Sequence, residues 1–237
     1  MLNLNGKRVV ITGGSQGLGL AMVEALAACG ANVTAIARDR ARLAAAEQAG
    51  AAVIAGDATD AALMNRAVRE EAPDVLILNA GARLPMKPID QQSWDEFSTA
   101  WNTDVKAGLV GIQAALNTPM KPGGRVLVMS SGASMVLAVP FIKPDDLSLS
   151  GGYIGAKRML WFMAHSANAV SRERELGLHF QVLVPCQLIP GTTLGYQVAA
   201  AYAAIEGVSV DELVVQHYVN GVGCGFRNDS DILPLDV

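Results

Sequence analysis

Charge is scarce in this sequence: 18 Lys and Arg stand against 22 Asp and Glu in 237 residues, 17% of the chain, for a net charge of -4. No Lys/Arg block occurs. Binding to a phosphate backbone needs a basic stripe, so the composition argues against nucleic acid as a partner. Cysteine is scarce as well. Cys29, Cys186 and Cys224 are odd in number and scattered, with no C-x-x-C, which argues against a disulfide framework or zinc site and fits a reducing compartment. Long hydrophobic runs are missing: stretches such as Met135–Ile142 fall well short of the ~18 residues a helix needs to cross a bilayer. The first apolar run begins within a few residues of the N-terminus, with no basic-then-apolar leader, so no membrane partner and a cytoplasmic location are expected. His165, His179 and His217 lack ligand spacing, and no metal is expected.

What the chain does have is apolar bulk, 51% of its residues. That suits a parallel sheet buried on both faces, and the length fits one domain with a large core. Short β-type runs at Arg8–Ile11, Asn32–Ala37, Ala52–Ala55, Val75–Leu78, Arg125–Met129 and Phe180–Val184 alternate with helical stretches. The expected helices are Leu18–Cys29, Arg40–Gln48, Ala61–Glu70, Trp94–Leu116, Tyr153–Arg174, Leu194–Glu206 and Asp211–Tyr218. Strands separated by helices of this length imply βαβ units. The expected fold is α/β: a single doubly wound, Rossmann-type domain, with a mainly parallel sheet flanked by helices on both faces. A Gly-rich half covers about 1–120 and a second half about 121–237.

Thr12-Gly13-Gly14-Ser15-Gln16-Gly17-Leu18-Gly19 lies between the first strand and first helix. Glycines there permit a tight turn and let backbone approach a pyrophosphate, whose charge is met by the helix N-terminus. Gly13, Ser15, Gln16, Gly17, Leu18 and Gly19 are therefore candidate cofactor contacts. The second strand ends Ala37-Arg38-Asp39, with no acid where a ribose 2′-hydroxyl would be bound and with Arg38 next to it. That pattern favours NADP(H) and leaves NAD(H) open. Asp57 follows the third strand, as helix cap or ligand contact. Asn79, Ala80 and Gly81 follow the fourth, as a turn or as part of the ligand-binding edge.

Tyr153 and Lys157 open the long helix after the fifth strand, four residues apart and so on one face. A nearby positive charge stabilises phenolate, which turns an otherwise poor acid/base into a usable one. Ser131 ends the fifth strand, and Asn102 interrupts an apolar, Ala-rich helix, which invites a polar role.

The ordered set of T-G-x-x-x-G-x-G at Thr12–Gly19, Asp57, Asn79-Ala80-Gly81, Asn102, Ser131, Y-x-x-x-K at Tyr153 and Lys157, and a proline loop at Pro185 resembles the short-chain dehydrogenase/reductase family from Lys7 to about Pro190. The resemblance implies a mechanism. Tyr153 would be the general acid/base, and Ser131 would hold the substrate oxygen. Lys157 would lower the Tyr153 pKa and bond the nicotinamide ribose, while Asn102 would hold a water beside Lys157. The implied activity is hydride transfer between NAD(P) and a small-molecule ketone or secondary alcohol. A non-catalytic NADP(H)-sensing regulator is the alternative from another class, and a dehydratase or epimerase on this fold is third.

Two departures from the family pattern stand out. The interval from Ser131 to Tyr153 is long, with Phe141–Ser150 read as an insertion that is either a substrate wall or an oversized loop; Gly151-Gly152 leaves the backbone before Tyr153 permissive. Cys186 follows Pro185 where the family has Gly. Met135, Val136, Leu137, Val139 and Leu194 suggest a hydrophobic substrate. The small residues of the Trp94–Leu116 helix and the face of the Tyr153–Arg174 helix suggest a homodimer or homotetramer.

Overall fold

The computed structural model describes residues 4–118, 120–135, 149, 151–185 and 192–212. Six strands, β1 (Arg8–Thr12), β2 (Asn32–Ala37), β3 (Ala52–Ala55), β4 (Val75–Leu78), β5 (Arg125–Met129) and β6 (His179–Leu183), form one sheet. Its order is β3-β2-β1-β4-β5-β6 and every pairing is parallel. The chain first winds outward from β1 to β3, then returns to β4 beside β1 and winds the other way. That reversal opens a crevice at the carboxyl ends of β1 and β4, where ligands bind in sheets of this kind.

Alternation along each strand divides the core into two layers. Val10, Ile36, Leu76, Leu78, Val126 and Val128 face one side, where they pack with α3 (Ala61–Glu71), α5 (Lys106–Asn117) and α6 (Gly151–Glu173). Val9, Ile11, Val33, Ala35 and Ile77 face the other, against α1 (Gly17–Ala28) and the region of α2 (Ala44–Gln48). Neighbouring residues with opposite facing and equal burial are what a sheet covered on both sides demands. Among the described residues, no helix is long and apolar enough to cross a membrane.

Three expectations need correction. The helix expected at Arg40–Gln48 is regular only over Ala44–Gln48, because the Asp39 carboxylate accepts the Ala41 and Arg42 N–H groups and holds the preceding residues in a turn. The helix expected at Trp94–Leu116 is not continuous either. It consists of α4 (Trp94–Ala100), a π-helical turn (Trp101–Val105) and α5. Its small residues are used inside the chain: a Cβ on Gly108 would lie 2.4 Å from Leu160, and one on Gly111 2.3 Å from Leu78. They let α6 and β4 approach closely.

The third concerns Gly152, which is a packing position and not a loose hinge. It is buried in the first turn of α6, and a Cβ there would come within 1.9 Å of the Phe97 carbonyl oxygen on α4. The helix that carries Tyr153 is thereby pressed directly onto α4. The expected helix Asp211–Tyr218 lies largely outside the described residues, as does the Phe141–Ser150 insertion apart from Leu149, and Val136, Leu137, Val139 and Cys186 lie outside them too. A final helix, α7 (Thr193–Glu206), is present as expected.

Candidate active site

The Gly-rich turn is bound to the β4 end through one threonine. Thr12 is buried at the end of β1, and its Oγ1 accepts the backbone N–H of Asn79 at 3.0 Å and of Ala80 at 3.1 Å. The Asn79 side-chain amide donates back to the carbonyls of Thr12 and Gly13, at 3.2 and 3.3 Å. Gly13 has φ +72 and packs on Ala80, and a Cβ on Gly19 would fall 2.0 Å from the Gly13 carbonyl oxygen. Side chains are thus excluded where a ligand's phosphates would lie.

The N-terminus of α1 completes this cradle. Gln16 at its N-cap makes no side-chain capping hydrogen bond, and no acid stands in the first turn. Its exposed N–H groups and positive dipole end fit the pyrophosphate of a dinucleotide. Of the expected cofactor contacts, Gly13 and Gly19 lie directly against Asn79 and Ala80, while Ser15, Gln16, Gly17 and Leu18 continue the same turn into α1 and Gly81 lies against Asp104. Thr12, which the sequence reading quoted only as part of the motif, is what joins its two sides. Thr192, from the second Pro190-Gly191-Thr192-Thr193 turn that the sequence offers beside Pro185 as a lining of the nicotinamide, caps α7 and lies 3.5 Å from where a Cβ on Gly17 would be.

Arg38 is exposed at the carboxyl end of β2. Asp57 at the end of β3 accepts the Thr59 N–H at 2.8 Å, and this bond holds its carboxyl below the usual range; burial opposes the effect, while Arg38 and Lys106 add to it. The helix cap of α3 is Asp60, whose side chain accepts from Ala62 and Leu63, so Asp57 shapes the loop instead. Arg42 is a further cation at this rim: it donates to the Gln16 side chain at 2.9 Å and pairs with Asp39 at 3.2 Å. Its place was not legible, because Arg42 and Gln16 lie 26 residues apart and meet only in the folded chain.

At the other side of the crevice, α6 carries Tyr153 and Lys157 along one face. Lys157 is buried, and its Nζ lies 5.6 Å from the centre of the Tyr153 ring. It donates to the carbonyl of Met129, the last residue of β5, at 3.2 Å, and pairs with the Asp104 carboxylate at 3.0 Å. Burial acts to lower the Lys157 pKa, but the Asp104 charge, Tyr153 and the hydrogen bond to Asp104 outweigh it and hold it above the ordinary 10.5. Lys157 is therefore a lysine that stays cationic although buried.

The two serines after β5 divide their work. Ser130 is buried and donates to the Lys157 carbonyl at 2.9 Å, anchoring α6 to the sheet end. Ser131 is half-buried, and its Oγ accepts the Ala133 N–H at 3.3 Å. The Gly132 N–H donates to the Pro185 carbonyl at 2.8 Å, so the loop after β6 reaches the same edge. Tyr153 also lines a narrow crevice with Leu84, Phe97, Ala100 and Gly152.

Asn102 is not brought to Lys157. Its side chain is exposed and donates to the Ser98 hydroxyl at 3.2 Å, while Asp104, two residues on, points inward. Residues two apart in a helix face in opposing directions. The π turn sets which of them meets the core, and such bulges recur at functional sites. An acid amid Val105, Ala107 and Gly108 was the available signal, since a lone carboxylate in an apolar stretch needs a buried partner.

The short chain dehydrogenase family model matches residues 7–142. This chain belongs to the short-chain dehydrogenase/reductase family. It is 35% identical over 152 residues to the "Probable oxidoreductase" of Streptomyces lividans, a match covering 59% of this chain and 49% of that one. It is 28% identical over 137 residues to the L-xylulose reductase of Mesocricetus auratus, covering 56% of each. The matched stretch spans about half the length of these relatives. A solved double mutant of a Serratia marcescens short-chain dehydrogenase/reductase superposes with a TM-score of 0.57 at 28% identity, over 71% of both chains.

Proposed function

We propose that this chain is an NADP(H)-preferring oxidoreductase that interconverts a small-molecule ketone and its secondary alcohol, with Tyr153 as general acid/base. The observation that carries this reading is the buried Lys157 ammonium, 5.6 Å from the Tyr153 ring centre, on the same sheet edge as an uncapped, glycine-cradled helix N-terminus. The nicotinamide cofactor would supply or accept the hydride. The protein's own part is position and proton transfer. Thr12, Gly13, Gly19 and the α1 N-terminus would hold the pyrophosphate, and Arg38, with Arg42 beside Gln16, would meet a 2′-phosphate. In reduction the Tyr153 hydroxyl would give its proton to the substrate oxygen, and in oxidation it would take one from the alcohol. Ser131 would donate to that oxygen.

The test is consumption of NADPH across a panel of ketones, followed by absorbance of the reduced nicotinamide. Tyr153→Phe is expected to lower kcat by about a hundred- to ten-thousand-fold. Binding without turnover on the panel, unchanged in Tyr153→Phe, would favour a cofactor-sensing regulator instead. A strong preference for NADH would overturn the role given to Arg38. A cytoplasmic location and a homodimer or homotetramer belong to the same reading; exposed Leu109 on α5 and Phe162 on α6 support the latter, and sedimentation as a monomer would contradict it.

A further inference from the structure

We propose that Asp104 is a positioning residue for the Tyr153–Lys157 pair, a buried counter-ion that holds the ammonium in place and cancels much of its charge. This inference rests on Tyr153 being the proton-transfer group. In this chain the position beside Lys157 is held by an acid, where the resemblance implies a neutral asparagine. The replacement changes the electrostatics of the site.

The geometry ties three elements together. The Asp104 Oδ2 accepts from Lys157 Nζ at 3.0 Å, and its Oδ1 accepts the Ala82 N–H at 2.7 Å. The carboxylate also lies against Gly81, where a Cβ would come within 3.2 Å of Oδ2. Both side chains of the ion pair are almost fully enclosed, at 7% and 2% exposure. The segment after β4, the π turn and α6 are therefore joined through one carboxylate. An ammonium has three N–H donors. Asp104 and the Met129 carbonyl take two of them, which leaves one for a ribose hydroxyl.

Charge follows from the same distances. Among the described residues, the charged or titratable groups acting on Lys157 are Asp104, from the π turn, and Tyr153, on its own helix. On β5 the neutral Met129 carbonyl accepts from Lys157; in the segment after β4 the Ala82 N–H donates to Asp104, and Arg83 beside it is exposed. At the phenol, an ammonium 3.0 Å from a carboxylate acts as a dipole and not as a full positive charge. The carboxylate's Coulomb contribution opposes that of the ammonium and offsets part of it. The phenol accordingly faces less net positive charge than Lys157 alone would present.

The experiment titrates the Tyr153 phenol by ultraviolet difference spectroscopy, each chain being compared with its Tyr153→Phe counterpart. Neutral variants Asp104→Asn and Asp104→Ser should shift this ionisation downward by about one pH unit or more, while Asp104→Glu, which keeps the charge, should stay near the wild type. The pH profile of alcohol oxidation should move in the same direction in the neutral variants. An unchanged titration in a folded neutral variant overturns the proposal, as does a shift in Asp104→Glu as large as theirs. Loss of folding in both neutral variants would make the carboxylate a purely structural group and also overturn it. The titration uses neither cofactor nor substrate, so turnover surviving Tyr153→Phe would sink the functional reading while this result still stood or fell by itself.

Discussion

The two sides of the crevice are held together by different forces. Around β1 and β4 the fixing bonds are neutral and run between side chain and backbone: the Thr12 hydroxyl accepts two N–H groups, the Asn79 amide returns two bonds, and glycines leave room. Around β5 and α6 the fixing bond is a buried ion pair between Lys157 and Asp104, supported by the Ser130 hydroxyl and the Met129 carbonyl. A neutral network loses about one bond's worth of free energy per partner removed, whereas a buried pair loses far more, because the remaining charge stays buried. The cofactor side is thus tolerant where the chemical side is brittle.

Lys157→Met should break the contrast most strongly. It leaves the Asp104 carboxylate buried beside an apolar chain, and about 3–5 kcal/mol of stability should be lost in denaturant unfolding. The same pair predicts a pH dependence. The folded pKa of Lys157 is raised above 10.5, so its contribution is fully present below that value and disappears as pH rises through the folded-state pKa. Wild-type unfolding midpoints should fall in this alkaline range, and Lys157→Met should lack that fall.

On the cofactor side, Thr12→Val removes the acceptor for the Asn79 and Ala80 N–H groups without changing shape. The expected loss is about 1–3 kcal/mol, read in the same unfolding experiment, with weaker dinucleotide binding by fluorescence. Gly152→Ala places a methyl group against the Phe97 carbonyl and should cost about 1–3 kcal/mol by forcing α6 from α4. It sharpens the comparison because kcat should fall with stability when Tyr153 is displaced. The smallest effect is expected for Asn102→Ala, within about 0.5 kcal/mol and with turnover unchanged. A large loss of activity there would return Asn102 to the site and remove Asp104 from it.

Much of this was legible along the chain. Strands β2, β4 and β5 begin and end where they were expected to, since a strand buried on both faces has little choice of composition. The Gly-rich turn was equally readable, because glycine's freedom is a local property and the turn lies between a strand and the helix it starts. The Asn102 placement was not. Two polar residues, two positions apart in one helix, are equivalent to a sequence reading until something fixes the rotation of the helix. The π turn at Trp101–Val105 does so, and it has no local signature.

The Tyr153 and Lys157 spacing shows the same boundary. Four residues on one helix determine that both side chains share a face, and the sequence alone established that much. Whether the ammonium stands beside a neutral amide or a carboxylate depends on residues 53 positions apart meeting in the core, Asp104 with Lys157. Family, sheet order and phosphate turn come from patterns that backbone geometry makes local. The charge beside Tyr153 was decided only by tertiary structure, because electrostatic energy depends on distance in space and burial, and neither is carried by position in the chain.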